Sequence, residues 1–182
     1  YPQLLLSDDP SNIPALALNA AALFIPAAVT VVIMSKLDQV PIVAFGVAFH
    51  EKWRRDFTWG LLVAAGMLAI TLAGSFAFGK VEMQWNGVDG VLAAILLTLI
   101  VLLVSAANEE LVFRGYPLQV LMKGIGPWGA AILLSSIFGL LHARNPGATV
   151  MSVLNTILAG LMLSLAYWKT RSMWLPFGIH IG

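Results

Sequence analysis

Long runs of apolar side chains, broken by short polar clusters, dominate the chain. A membrane-spanning helix needs about 20 mostly apolar residues, with a range of roughly 17–25. Residues 13–34, 57–78, 88–107 and 148–168 meet that length, 128–142 is a shorter apolar run, and 173–182 opens a further one. The runs are unbroken blocks, not the alternating strands of about ten residues that a membrane β-barrel shows. The pattern therefore predicts an all-α, polytopic transmembrane bundle of about six membrane helices, some of them short or re-entrant. Residues 40–49 are apolar but too short to span, and Pro41 interrupts them, so a re-entrant or interfacial segment, or half of a kinked hairpin, is expected there. Residues 115–126 are mixed in polarity, with Pro117 and Lys123, and suit an amphipathic segment lying in the interface. The polar links are 50–56, 79–86, 143–147 and 169–172, with Trp53 and Trp85 expected at the membrane interface.

Composition supports the membrane reading. The chain of 182 residues is 59% hydrophobic and 10% charged, whereas a soluble domain carries about 25% charged residues. With no cysteine there is no disulfide framework, thiol nucleophile or thiolate metal site. A net charge of +1 gives no reason to expect nucleic acid as a partner. The chain starts at Tyr1 and stops at Gly182 within an apolar run, and is read as a piece of a longer protein.

Charge placement orients the spans. If the six runs all cross, one side holds Lys36, Lys52, Arg54, Arg55, Arg114, Lys123, Lys169 and Arg171, and the other holds Lys80 and Arg144. The excess of basic residues puts the first group in the cytoplasm, with Asp8 and Asp9 outside. A multi-pass protein of a prokaryotic plasma membrane is expected.

One polar cluster stands out. From 91 to 107 every side chain is apolar except Thr98 and Ser105, and the run then meets Asn108, Glu109, Glu110 and, after Leu111, Val112 and Phe113, Arg114. Ionisable groups at membrane depth are costly and mark functional sites. On a helix, Glu110 and Arg114 are i,i+4 neighbours, whereas Glu109 points about 100° away. The spacing thus divides the labour: Glu110 and Arg114 form an internal ion pair, and Glu109 is free to act as a general base or acid. The bland alternative is an interfacial helix end snorkelling to headgroups.

Two histidines follow on apolar helices. Phe138 and His142 share a face at the end of 128–142, and His180 lies in the last run, where Gly178 and Gly182 form a weak GxxxG packing signal. Each histidine alone reads more readily as a packing or helix-end residue. With Glu109, however, they form a set able to position and activate a water, directly or around a divalent metal such as zinc. No HExxH is present, so a metal site would have to be assembled from separate helices. His50 precedes the basic loop and reads as solvated; Asn145 and Asn155 are candidate polar partners, with Asn155 expected mid-span and bonded across helices. The set also carries a difficulty: six simple crossings place Glu109 and His142 at opposite faces, so the chain after Arg114 must turn back for them to meet.

The ordered motifs Glu109-Glu110-x-x-x-Arg114, Phe138-x-x-x-His142 and the final His180 resemble those of the CAAX-processing and bacteriocin-processing (CPBP, or Abi) intramembrane endopeptidases. The flanks Arg114-Gly115-Tyr116 and Gly126-Pro127-Trp128 also fit. The resemblance covers residues 88–182, the expected catalytic membrane core; 1–87 would add N-terminal helices and the basic loop to one integrated membrane domain. It implies an all-α membrane fold that cleaves a peptide bond in or beside the membrane. Glu109 would activate water, His142 and His180 would complete the site, and Glu110, Arg114 and Phe138 would support it. The family is described both as metalloproteases, which would make Glu109, His142 and His180 the ligands, and as metal-free glutamate enzymes. Its partners would be membrane lipid and a peptide or protein substrate, lipidated in the CAAX case. The chain ends two residues before the Asn of the family's His-x-x-x-Asn motif. Two other readings compete: a catalytically idle immunity or partner-binding protein on the same fold, and a small proton-coupled transporter, for which the inverted repeats expected are not visible.

Overall fold

The computed structural model describes residues 12–79 and 91–182. Six α-helices occur among them: α1 (Asn12–Leu37), α2 (Trp53–Ala77), α3 (Val91–Phe113), α4 (Tyr116–His142), α5 (Val150–Thr170) and α6 (Trp174–Ile181), with a short 3-10 helix at Ile42–Phe45. No strand occurs among the described residues. Asp8, Asp9, Lys80 and Trp85, on which part of the orientation and interface reading rests, lie outside them.

Among the described residues three segments are long and apolar enough to cross a membrane: Trp53–Ala77, Leu99–His142 and Val150–Thr170; the Phe24–Leu37 part of α1 is a shorter apolar stretch. That is fewer than the six or so membrane helices expected. The middle segment joins the second half of α3 to α4, and α6 has only eight residues, about 12 Å of helix. The outward faces carry large apolar side chains such as Leu62, Ile70, Leu140 and Leu158, as suits helices whose solvent is lipid.

α4 does what the sequence left open. A straight helix of its 27 residues would be about 40 Å long and would carry His142 far from the end of α3. Instead Gly126 takes φ 77° and ψ 165°, followed by Pro127. Only glycine adopts that backbone freely, and proline cannot donate to the preceding turn, so the helix breaks there. Leu118, Leu121 and Met122 from the first arm pack with Ala130, Leu134 and Phe138 from the second, together with Phe113 and Tyr167. The segment expected to lie in the interface is thus the first arm of a folded-back pair.

α6 occupies the middle of the bundle, against α2, α5 and α3, while α4 pairs with α5 and α1 with α3. Small residues bring these helices close, because no solvent-driven force separates lipid from leucine and van der Waals contact decides. A Cβ on Gly178 would strike the backbone of Phe57 and Gly60, one on Gly60 would strike that of Leu175 and Ile179, and one on Gly182 would meet Ala64. The GxxxG signal therefore faces Gly60 and Ala64 of α2. Similarly, Gly139 of α4 lies against Val153 and Ile157, and Gly160 of α5 lies against Ser135 and Phe138.

The start of α6 is pinned by the 46–56 segment. The Met173 amide donates to Gly46 O at 2.9 Å, the Trp174 indole to Ala48 O at 2.8 Å, and His50 Nε2 lies 3.0 Å from Ser172 Oγ. His50 Nε2 is also 3.7 Å from Asp56, which is buried. The basic loop is therefore not simply solvated as expected: its His50 and Asp56 serve a buried joint, leaving Arg54 and Lys52 outside.

Candidate active site

The last turns of α3 carry Glu109 and Glu110, the end of α4 carries His142, and α6 carries His180. The fold brings all four together. Glu109 Oε2 lies 3.6 Å from His180 Nε2 and 3.9 Å from His142 Nε2. Both distances are too long for direct hydrogen bonds, and put both Nε2 atoms within 4 Å of the same carboxylate oxygen. Ser105 donates to Glu109 Oε1 at 3.2 Å. Glu109 Oε2 itself is buried and accepts no hydrogen bond from the protein.

The outer nitrogens of both histidines are spent. His142 Nδ1 is 2.7 Å from Phe138 O. A carbonyl only accepts, so Nδ1 carries the proton and the neutral ring turns a lone pair on Nε2 towards Glu109. His180 Nδ1 is 2.7 Å from Glu110 Oε1, and the same logic leaves its Nε2 facing Glu109. Hydrogen bonds at the far nitrogen fix tautomer and ring orientation in this way.

Glu110 has no exposed side-chain surface, and Arg114 keeps 1%. Arg114 Nη1 donates to Glu110 Oε1 at 3.2 Å and Nη2 to Gly160 O at 3.2 Å. Its guanidinium lies over the Phe138 ring, 4.7 Å from the centroid. Phe138 also stands 4.5 Å from the His142 ring, 5.0 Å from Phe113 and 6.2 Å from the His180 ring. The aromatic ring is the hub on which the ion pair and both histidines rest.

Other expectations fare differently. His50 lies in the α6 joint and not among these groups. Asn155 is not mid-span but in the second turn of α5, and among the described residues it makes no side-chain hydrogen bond across helices. It lines a cavity of about 470 Å³ together with His142, His180, Phe138, Met67 and Met162. Asn145 lines a smaller cavity of about 210 Å³ with His142, Ser152 and Thr156. On the other side of Glu110 a nearly apolar cavity of about 180 Å³ is lined by Phe24, Phe49, Trp174 and Phe177.

Sequence reasoning missed three contributors. Ser105 was legible, being i,i+4 from Glu109. The Gly160 carbonyl and the His180–Glu110 bond were not, because nothing in local spacing reports a contact between helices.

Among the described residues, no three His, Cys, Asp or Glu side chains stand in metal-ligand geometry. The nearest set is Glu109 Oε2 with the two Nε2 atoms. Its chemistry nonetheless fits a divalent ion, since histidines that bind metals keep their other N–H on a carboxylate or carbonyl.

Comparison with known proteins places this site within a matched region. The family model for the type II CAAX prenyl endopeptidase Rce1-like proteins matches residues 90–182, just over half of the chain. No individual curated protein and no solved structure matches. The matched residues include Glu109, Glu110, Arg114, Phe138, His142 and His180, whereas the 46–56 joint lies outside.

Proposed function

Because the chain belongs to the type II CAAX prenyl endopeptidase Rce1-like family, we propose that it hydrolyses a peptide bond of a membrane-associated substrate, with Glu109 activating the water. The observation that carries this reading is the convergence of Glu109 Oε2 with two histidine Nε2 atoms at 3.6 and 3.9 Å. A proton relay would also place Glu and His together. Only the hydrolytic reading, however, uses a base, two orienting nitrogens and an adjoining cavity that could admit a peptide.

In this mechanism a water lies between Glu109 and the histidines. Glu109 Oε2 takes its proton as the oxygen attacks the scissile carbonyl carbon. The carbonyl π pair moves onto oxygen, and the negative charge that develops there calls for a hydrogen-bond donor or positive group beyond the two histidine Nδ1–H groups, which are already bonded. When the C–N bond breaks, the proton held by Glu109 passes to the leaving nitrogen. Glu110 and Arg114 keep His180 in the required orientation and do not touch the reacting atoms. Phe138 does the same for His142, through its backbone oxygen and its ring.

A second reading is favoured by the spent Nδ1–H groups on both histidines. Glu109 Oε2, His142 Nε2 and His180 Nε2 are the atoms that would hold a divalent cation. Such an ion would polarise the scissile carbonyl and lower the pKa of a bound water.

The decisive measurement is cleavage of a quenched-fluorescence CAAX-type peptide by purified protein in detergent. Glu109→Gln should reduce the rate by about 10²–10⁴-fold with the protein still folded. Undiminished cleavage in that variant would remove Glu109 from the reaction and with it this mechanism.

A further inference from the structure

We propose that Asn155 is a substrate-binding residue, whose side-chain amide pairs with the peptide backbone in the cavity beside the two histidines. The proposal rests on the endopeptidase reading above and deepens it by naming how the peptide is held.

An extended peptide in a membrane site brings an N–H and a C=O per residue, and leaving them unpaired in an apolar environment is costly. The enzyme must supply partners near the scissile bond without using the groups that perform hydrolysis. The cavity of about 470 Å³ has few to offer: its walls include Ala64, Met67, Ala159, Met162, Leu163 and Ile179. Its polar lining is His142, His180, Asn155 and Thr156. The histidines are committed to Glu109 and to their own acceptors. The Thr156 hydroxyl donates back to Ser152 O at 2.9 Å. That leaves Asn155, which makes no side-chain hydrogen bond among the described residues.

A carboxamide is suited to this task because it carries a donor and an acceptor together. It can pair with the C=O and N–H of one peptide unit as a neighbouring strand would. Placement agrees. Asn155, Ala159 and Met162 fall at i, i+4 and i+7 on α5 and line one side of the cavity, with Asn155 exposed at its open edge, where an incoming peptide could reach its amide. Gly160, one turn further along α5, takes the Arg114 guanidinium on its carbonyl. The helix that presents Asn155 is thus tied to the same ion pair that orients His180. The two methionines and Ile179 around it would receive an unbranched or aliphatic side chain next to the paired backbone unit, with thioethers adapting to its shape.

Two measurements on the full chain test this. In the first, Asn155→Leu, nearly isosteric and apolar, is compared with the unaltered protein on a farnesylated, quenched-fluorescence CAAX peptide. KM should rise about tenfold, the loss of one hydrogen bond of ordinary strength, with kcat within about threefold, and Asn155→Gln should recover part of the loss. Unchanged KM in Asn155→Leu, with Glu109→Gln inactive, would overturn the role of Asn155 and leave the endopeptidase reading standing. The second measurement does not need turnover. The chain has no cysteine, so Asn155→Cys in a Glu109→Gln background gives a single thiol for a water-soluble methanethiosulfonate reagent. The same peptide should slow its labelling at least severalfold, and a thiol that labels equally fast with and without peptide would refute the proposed contact.

Discussion

Glu110 and Glu109 are adjacent in sequence, and the structure asks opposite things of them, so Glu→Gln at each position separates support from chemistry. Glu110 is fully buried and its Oε1 receives Arg114 at 3.2 Å and His180 at 2.7 Å. Glutamine keeps an oxygen at that position and removes the charge. Hydrogen bonds to a charged group contribute about 1.5–3 kcal/mol and neutral ones about 0.5–1.5, so weakening two of them costs roughly 2–3 kcal/mol. Arg114, 1% exposed, is also left without its counter-charge, and losing one partner of a buried pair costs about 3–5 kcal/mol when no acceptor remains. Because the amide oxygen remains, Glu110→Gln should cost about 2–4 kcal/mol, a large share of a typical net stability of about 5–15 kcal/mol. Glu109 makes one hydrogen bond, from Ser105, and keeps 24% of its side-chain surface. Its glutamine variant should stay within about 1 kcal/mol of the parent while cleavage falls. The assay pairs thermal unfolding in detergent, followed by tryptophan fluorescence, with peptide cleavage on the same samples. A Glu110→Gln protein that unfolds at the parent temperature but is inactive, beside a destabilised Glu109→Gln, would refute the division of roles.

Further predictions follow from single contacts. Gly178→Leu should force α6 off α2, with a cost of about 1–3 kcal/mol or more and loss of activity through His180, whereas Gly66→Ala, with nothing within 4 Å of the added carbon, should be neutral or stabilising in the same unfolding assay. Phe138→Ala should cost about 3–5 kcal/mol because Arg114, Phe113 and His142 all rest on that ring; a shift of under 1 kcal/mol would deny it the hub role. Stripping the protein with 1,10-phenanthroline and restoring zinc separates the two hydrolytic readings: unaffected cleavage supports the direct Glu109 mechanism, and loss with recovery supports ligation by Glu109, His142 and His180. His50→Ala should loosen the joint at Ser172 by about 1 kcal/mol and leave measurable cleavage, since the joint touches none of the reacting groups.

Much of this protein was legible along the chain because the signals are local. Unbroken apolar runs announce membrane helices whatever they pack against, since backbone groups in lipid must be satisfied within the helix. The i,i+4 spacing of Glu110 and Arg114 determined their pairing for the same reason, and set Glu109 apart. The tertiary structure decided which helices meet. Whether His142 could reach Glu109 depended on the backbone at Gly126, one residue whose φ of 77° turns the second arm of α4 back; helical periodicity on either side carries no trace of that turn. Among the described residues fewer segments are long and apolar enough to cross than the six or so expected, because apolar length does not distinguish a crossing helix from an arm of a folded pair or from the short α6. His180 bonds to Glu110, and Asn155 faces a cavity and not a neighbouring helix, because packing of α6 against α2 and α5, and of α5 against α4 and α6, sets the rotation of each helix about its axis. A sequence names the faces of a helix, and only its neighbours determine what each face sees.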